Sequence, residues 1–168
     1  LAAGGSRVVA ADRSERRMSI LRENVARTNL PVAGIVAYAE QPPLASAPLV
    51  LLDVPCTGTG TLRRHPDARW RLGPEAPAAL AAVQDRILEG GARAVSRGGL
   101  LVYSTCTLEP EENQEMVDAF LLRHPDFRLE PPDTVDSTHL DADGRLVVLP
   151  WRTGFDGAFA VRLRRIAG

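Results

Sequence analysis

Two short apolar runs, residues 49–52 and 100–103, each lead into a turn that carries a cysteine. The first ends in Asp53-Val54-Pro55-Cys56, the second in Ser104-Thr105-Cys106. Runs of four wholly apolar residues bounded by turn formers suit strands buried on both faces. Open α/β sheets place ligands just outside the carboxyl ends of such strands. The pair therefore constrains the chain to an α/β sheet that delivers two thiols, one beside a carboxylate, to one crevice. That arrangement points to covalent chemistry more than to packing.

The remaining elements fit the same class. Residues 7–11 read as a short buried strand ending at Asp12, and Ser14 can cap a helix with Met18, Leu21 and Val25 on one face. Asn29 and Pro31 close it, residues 32–38 form a weaker strand, and Gln41-Pro42-Pro43 makes a loop. Residues 54–76, with Gly58, Gly60, Pro66, Gly73 and Pro74, read as one long irregular loop, a length that is usually functional. From Pro77 to about Ser96 an Ala-rich helix turns Leu80, Val83, Ile87 and Leu88 inward, and Gly98-Gly99 stops it. Pro110, Glu111 and Glu112 open another helix running to Arg123, its acids at the positive end. The last forty residues read as β, with Phe159, Val161 and Leu163 alternating against Arg162 and Arg164. Strands alternating with helices predict a largely parallel sheet covered on both faces.

Composition narrows the chemistry. The 168 residues suffice for one domain with its own core. No apolar run approaches the roughly 20 residues that cross a bilayer. All 20 basic residues are arginine, which excludes a Schiff-base lysine and a P-loop lysine within the chain. A net charge of −1 gives no bulk attraction to nucleic acid, so a local patch must supply any. Two cysteines without a leader predict a reducing, cytoplasmic compartment, and scattered His65, His124 and His139 predict no metal site. The opening Leu-Ala-Ala-Gly-Gly reads as the end of a helix that begins earlier, so a piece of a longer protein is expected.

Four stretches of the chain can carry chemistry. Asp12, at a strand end before a helix, either caps the helix or accepts hydrogen bonds from ribose hydroxyls. Cys56 is either a small buried hydrophobe or a reactive group beside Asp53. Cys106 can gain thiolate character from turn N–H groups, against core packing or a redox pair with Cys56. Arg63, Arg64, Arg69 and Arg71, with His65 and Trp70 among them, suit phosphates and an unpaired base, against a merely solvated loop. Glu109, Glu111, Glu112 and Glu115 read as a helix start, and Asn113 can brace the Cys106 loop.

Together these stretches resemble the RsmB/NSUN-type RNA cytosine-C5 methyltransferases, most closely the bacterial ribosomal-RNA branch. The matching text is Asp53-Val-Pro-Cys-Thr-Gly-Thr-Gly-Thr-Leu-Arg-Arg-His-Pro-Asp-Ala-Arg-Trp-Arg71, Gln84 with Ile87-Leu88, Gly98 through Asn113, and Asp156-Gly-Ala-Phe159. The resemblance implies a Rossmann-like class I S-adenosylmethionine-dependent methyltransferase fold that lacks its first strand and glycine-rich loop. Residues 1–168 would be the C-terminal part of a single catalytic domain. It implies Cys106 as the nucleophile on cytosine carbon 6 and Cys56 as the group that assists product release. Asp53 would hold the base near N3 and its amine and help orient the cofactor, and Asp12 would bind the cofactor ribose. RNA, ribosomal RNA above all, would lie along Arg63, Arg64, Arg69, Trp70 and Arg71.

Three departures from the family pattern stand out. The glycine-rich loop with its lysine is absent before Asp12, the expected adenine-side acid is replaced around Tyr38-Ala39 unless Glu40 substitutes, and Ala158 stands where an aromatic is usual. The isolated chain is accordingly expected to bind S-adenosylmethionine poorly and to be inactive. Two other readings compete: a DNA cytosine-C5 methyltransferase using Cys56, and a non-catalytic RNA-binding module in ribosome assembly.

Overall fold

The computed structural model describes residues 2–70 and 72–166. The backbone separates into two compact units, the first extending to Leu44 and the second beginning at Ala45.

The first unit is a β-α-β element: β1 Val8–Asp12, α1 Glu15–Thr28 and β2 Val32–Val36. The strands pair in parallel, from Val8 opposite Val32 to Asp12 opposite Val36. Ser14 caps α1, accepting from the N–H of Arg17, and Asn29 ends it at φ 51°, a left-handed stop that asparagine tolerates. Met18, 2% exposed, packs α1 toward Gly34 of β2. The second strand is shorter than expected, since residues 37 and 38 leave the ladder once the N–H of Ala37 has bonded the carbonyl of Asp12.

The second unit holds β3 Ala47–Asp53, α2 Ala76–Ala94, β4 Val95–Thr105, α3 Gln114–Arg123, β5 Phe127–Leu129, β6 Leu146–Val148, α4 Pro150–Thr153 and β7 Ala158–Arg165. The sheet order is β3-β4-β7, with β5 and β6 against different stretches of the far edge of β7. β3 and β4 are parallel, but β7 runs antiparallel to β4, β5 and β6, so the expectation of a largely parallel sheet is corrected. A short connection through α4 joins β6 to β7, and connections that short return the chain antiparallel.

One face of this sheet carries Leu52, Leu101, Tyr103, Phe159, Val161 and Leu163, all buried against Ile87 and Leu88 of α2 and Met116, Val117 and Phe120 of α3. Each fully buried large side chain contributes about 1.5–3 kcal/mol. Both long helices share that face, while Leu51 on the other is 58% exposed, so in this unit the expected cover on both faces is one-sided.

Two helix boundaries moved for physical reasons. α2 ends at Ala94 because Val95 already pairs with Ala47, and the next ladder partners are Leu49 and Leu100. Residues 96–99 are looped out, with Gly98 at φ +71°. The helix expected from Pro110 breaks into a 3-10 turn, Pro110–Glu112, and then α3, with Asn113 at φ −117°, ψ −104° between them. Glu112 and Asn113 turn inward instead of continuing the helix.

Candidate functional site

The parallel pairing of β3 and β4 sets Asp53 opposite Ser104, so the two strands end level and release their loops side by side. The Val54 N–H donates to the Ser104 carbonyl and the Ser104 hydroxyl to the Leu52 carbonyl, tying the exits together. The thiols consequently meet. Cys56 Sγ lies 3.2 Å from Cys106 Sγ, and the Cys106 N–H donates to Cys56 Sγ at 3.3 Å. Both cysteines are free; Cys56 is half-buried and Cys106 exposed. Burial pushes the Cys56 thiol up to about 12, the hydrogen bond with the Cys106 side chain adding to the rise. Cys56 thus keeps its proton at neutral pH, while the sulfur open to solvent is that of Cys106. Asp53 is exposed at the tip of β3.

A buried polar assembly holds the two loops. Glu112, 0% exposed, accepts from the Thr57 N–H at 2.9 and 3.3 Å, the Thr57 hydroxyl at 2.5 Å and Gln84 Nε2 at 2.8 Å. Burying a carboxylate is costly unless hydrogen bonds replace its water, and these donors do so. Gln84 Nε2 also donates to the Pro55 carbonyl at 2.8 Å, and the Tyr103 hydroxyl donates to the Glu112 carbonyl at 2.7 Å, with Gln84 Oε1 3.1 Å away. Burial, with the Glu112 charge behind it, drives the Tyr103 hydroxyl far above its ordinary range. On the Cys106 side, Thr105 Oγ1 donates to Asn113 Oδ1 at 2.6 Å and Asn113 Nδ2 to the Thr107 carbonyl at 3.0 Å. Asn113 braces the loop as expected. The roles of Glu112, Gln84, Thr57, Thr107 and Tyr103 were not legible: Glu112 reads as a helix-start acid, and Gln84 sits on an otherwise apolar helix face.

Backbone contact completes the frame. The Gly60 N–H donates to the Cys106 carbonyl at 3.1 Å, and the Gly157 N–H to the Gly60 carbonyl at 2.8 Å. A Cβ at Gly60 would stand 2.7 Å from the Gly157 oxygen and 2.8 Å from that of Cys106, an approach only glycine permits.

The arginine-rich loop divides. Arg63 donates to the Gly154 carbonyl at 2.8 Å and Arg64 Nε to Asp156 Oδ2 at 2.5 Å, so both tether the loop to the segment before β7. The Arg64 guanidinium holds the Asp156 carboxyl below the usual carboxylate range. Arg69 lies over the ring of Trp70, which is 81% exposed. Arg71 lies outside the described residues. Trp151 and Phe155, 70% and 69% exposed, flank Gly154 and were not anticipated.

Asp12 sits in the first unit, at the end of β1. Its Oδ1 accepts from the Ser14 N–H at 2.7 Å and its Oδ2 from Arg17 Nη1 at 2.8 Å. Tyr38, 64% exposed, and Glu40 follow the neighbouring end of β2. Among the described residues no helix is long and apolar enough to cross a membrane, and no cluster of His, Cys, Asp or Glu could hold a metal ion.

Residues 1–164 match the family described as 16S rRNA methyltransferase RsmB/F. The chain belongs to that family. Ribosomal RNA small subunit methyltransferase B of Thermus thermophilus is 45% identical over 166 residues, 99% of this chain and 41% of that protein. Among solved structures, PH0851 superposes with a TM-score of 0.87 at 33% identity, over 95% of this chain and 37% of that one. NSun6 from Pyrococcus horikoshii with SFG superposes with a TM-score of 0.85 at 28% identity, over 97% of this chain and 42% of that one. The RsmB/NSUN resemblance drawn from the cysteine motifs is borne out, and the fold is the Rossmann-like one of class I methyltransferases. The chain spans less than half the length of these relatives.

Proposed function

We propose that this chain carries the catalytic cysteine pair of an S-adenosylmethionine-dependent RNA cytosine-C5 methyltransferase acting on 16S ribosomal RNA, with Cys106 as nucleophile. The observation that carries this reading is the 3.2 Å contact between an exposed cysteine, Cys106, and a half-buried one, Cys56.

Carbon 5 of cytosine is a weak nucleophile. A Cys106 thiolate that bonds to carbon 6 pushes the ring electrons toward carbon 5, which can then take a methyl group. The cofactor supplies that methyl on a positively charged sulfur. Loss of the carbon-5 proton to a water molecule then lets the ring electrons expel Cys106, and Cys56, in contact with the departing sulfur, assists release by giving it a proton. We assign Asp53, exposed at the end of β3, to the cytosine amine and to orienting the cofactor. The target base must leave its stack, and exposed Trp70, Trp151 and Phe155 offer ring faces to unpaired bases. Arg69 and Arg71 are assigned to phosphates. Arg63 and Arg64 contribute by fixing the loop and by their field.

Asp12 fits a ribose contact, because the group it holds now is a surface guanidinium. Exposed ion pairs of this kind contribute about 0–1 kcal/mol, so hydroxyls can displace Arg17 at little cost.

The burial of Cys56, set against the exposure of Cys106, disfavours the DNA-type reading, in which Cys56 would be the nucleophile. The test is genetic. Deleting the gene should remove 5-methylcytosine from 16S ribosomal RNA, read by bisulfite sequencing, and re-expression with Cys106→Ser should not restore it. An unchanged ribosomal map, or loss of 5-methylcytosine from genomic DNA, would overturn the assignment.

A further inference from the structure

We propose that Glu112 is a positioning residue: through Thr57 and Thr107 it sets the direction of a hydroxyl chain that clamps the Cys56 loop onto the Cys106 loop. The inference rests on the cysteine-pair reading above and adds to it the device that keeps the pair together.

The polarity of the chain follows from counting protons. A carboxylate only accepts, and each threonine hydroxyl has one proton to give. The Thr57 hydroxyl spends its proton on Glu112 Oε2, so in its 2.6 Å contact with Thr107 Oγ1 it must accept. Thr107 has then given its proton to Thr57, so its 3.0 Å contact with Thr59 Oγ1 is donated by Thr59. The Thr107 oxygen also accepts the Glu109 N–H at 3.2 Å, and the Thr59 oxygen accepts the Leu108 N–H at 2.9 Å. Every hydroxyl thus donates one way, from Thr59 to Thr107 to Thr57 to Glu112.

The placement gives this chain its function. Thr57 follows Cys56 directly, Thr107 follows Cys106 directly, and the two hydroxyls meet between the loops. Glu112 comes from neither strand exit: it hangs from the turn before α3 and reaches back fifty-five residues to Thr57. Gln84 donates at once to Glu112 and to the Pro55 carbonyl, fixing the residue before Cys56 as well. Asn113, next along, secures Thr105 and Thr107 on the opposite side. One turn therefore grips both cysteine loops, which explains why the chain interrupts its helix at Glu112 and Asn113. A neutral amide at position 112 would turn an N–H group toward the Thr57 N–H or lose the Thr57 hydroxyl bond, and the ordering of the hydroxyls would no longer be fixed.

The test uses the chain itself and needs neither cofactor nor RNA. Phenylarsine oxide binds two thiols only when both sulfurs reach one arsenic atom. The parent chain should bind it one to one, with both sulfurs bonded to arsenic and one water released. In Glu112→Gln and in Thr57→Val the affinity should fall roughly tenfold to a hundredfold, as for other sites whose supporting contacts are removed. Near-ultraviolet circular dichroism verifies that each variant is folded. Thr57→Ser keeps both the N–H and the hydroxyl and should bind like the parent, which also decides the matter if Glu112→Gln does not fold. The alkylation of Cys56, mapped by mass, should shift to lower pH in Glu112→Gln and Thr57→Val but not in Thr57→Ser. Parent-like arsenic affinity and an unshifted Cys56 profile in folded Thr57→Val or Glu112→Gln would overturn the inference. That result would leave the covalent reading standing, whereas an RNA adduct formed without Cys106 would overturn that reading and leave the clamp intact.

Discussion

The two sulfurs touch, yet they are not equivalent, and the difference lies in what surrounds each. Cys56 has lost part of its water and shares a hydrogen bond with its neighbour, and both effects favour the neutral thiol. Its pKa is raised in the folded chain, so folding is fully supported below the ordinary thiol range. That support is lost as pH climbs through that range toward about 12, because the unfolded chain releases the proton first. Alkylation of Cys56 by iodoacetamide should therefore keep rising with pH through the range in which ordinary thiols level off. Removing Cys106 by Cys106→Ala should lower the Cys56 pKa without restoring it fully, since burial remains. Peptide mass mapping over a pH series measures both. A Cys56 profile that levels off with ordinary thiols would contradict the burial seen here.

At the scale of elements, the site depends on how closely three loops approach. Gly60 lies between the Cys106 carbonyl and Gly157, bonded to both through its backbone. Gly60→Ala puts a methyl group against two backbone oxygens, which cannot swing aside as a side chain would. It should cost about 1–3 kcal/mol in urea denaturation, and an unchanged midpoint would show that the loops are not held as described. The same scale explains what could be read in advance. Ser14, Asn29, the apolar run of β3 and the alternation of β7 are local signals, and the structure honours each. The break before α3 is not local: Pro110, Glu111 and Glu112 have the composition of a helix start, but Thr57 and Gln84 draw Glu112 inward. The two cysteines were legible because a strand exit and a turn proline announce them. Their support was not, since a threonine or glutamine gives no sign of a partner fifty residues away. The antiparallel β7 was missed because alternation reports which side chains face the core, not which way the strand runs.

The whole molecule repeats one device. Each unit is built on a parallel strand pair and ends its leading strand in an aspartate, Asp12 in the first and Asp53 in the second. In the reading proposed above, Asp12 of the first unit meets the cofactor ribose, and the second unit carries the thiols. The residues of this division are legible in the motifs, and the contact between sulfurs supports the mechanism proposed for them. That mechanism stands or falls on which sulfur bonds to the pyrimidine. RNA containing 5-azacytosine is the most direct probe, since nitrogen at position 5 makes carbon 6 more electrophilic and removes the carbon whose methylation leads to release. The complete gene product should form a covalent complex with this RNA, and so should its Cys56→Ser variant, with the mass of the nucleotide on the peptide holding Cys106. Cys106→Ser should form none. A complex that survives in Cys106→Ser and disappears in Cys56→Ser would contradict the assignment.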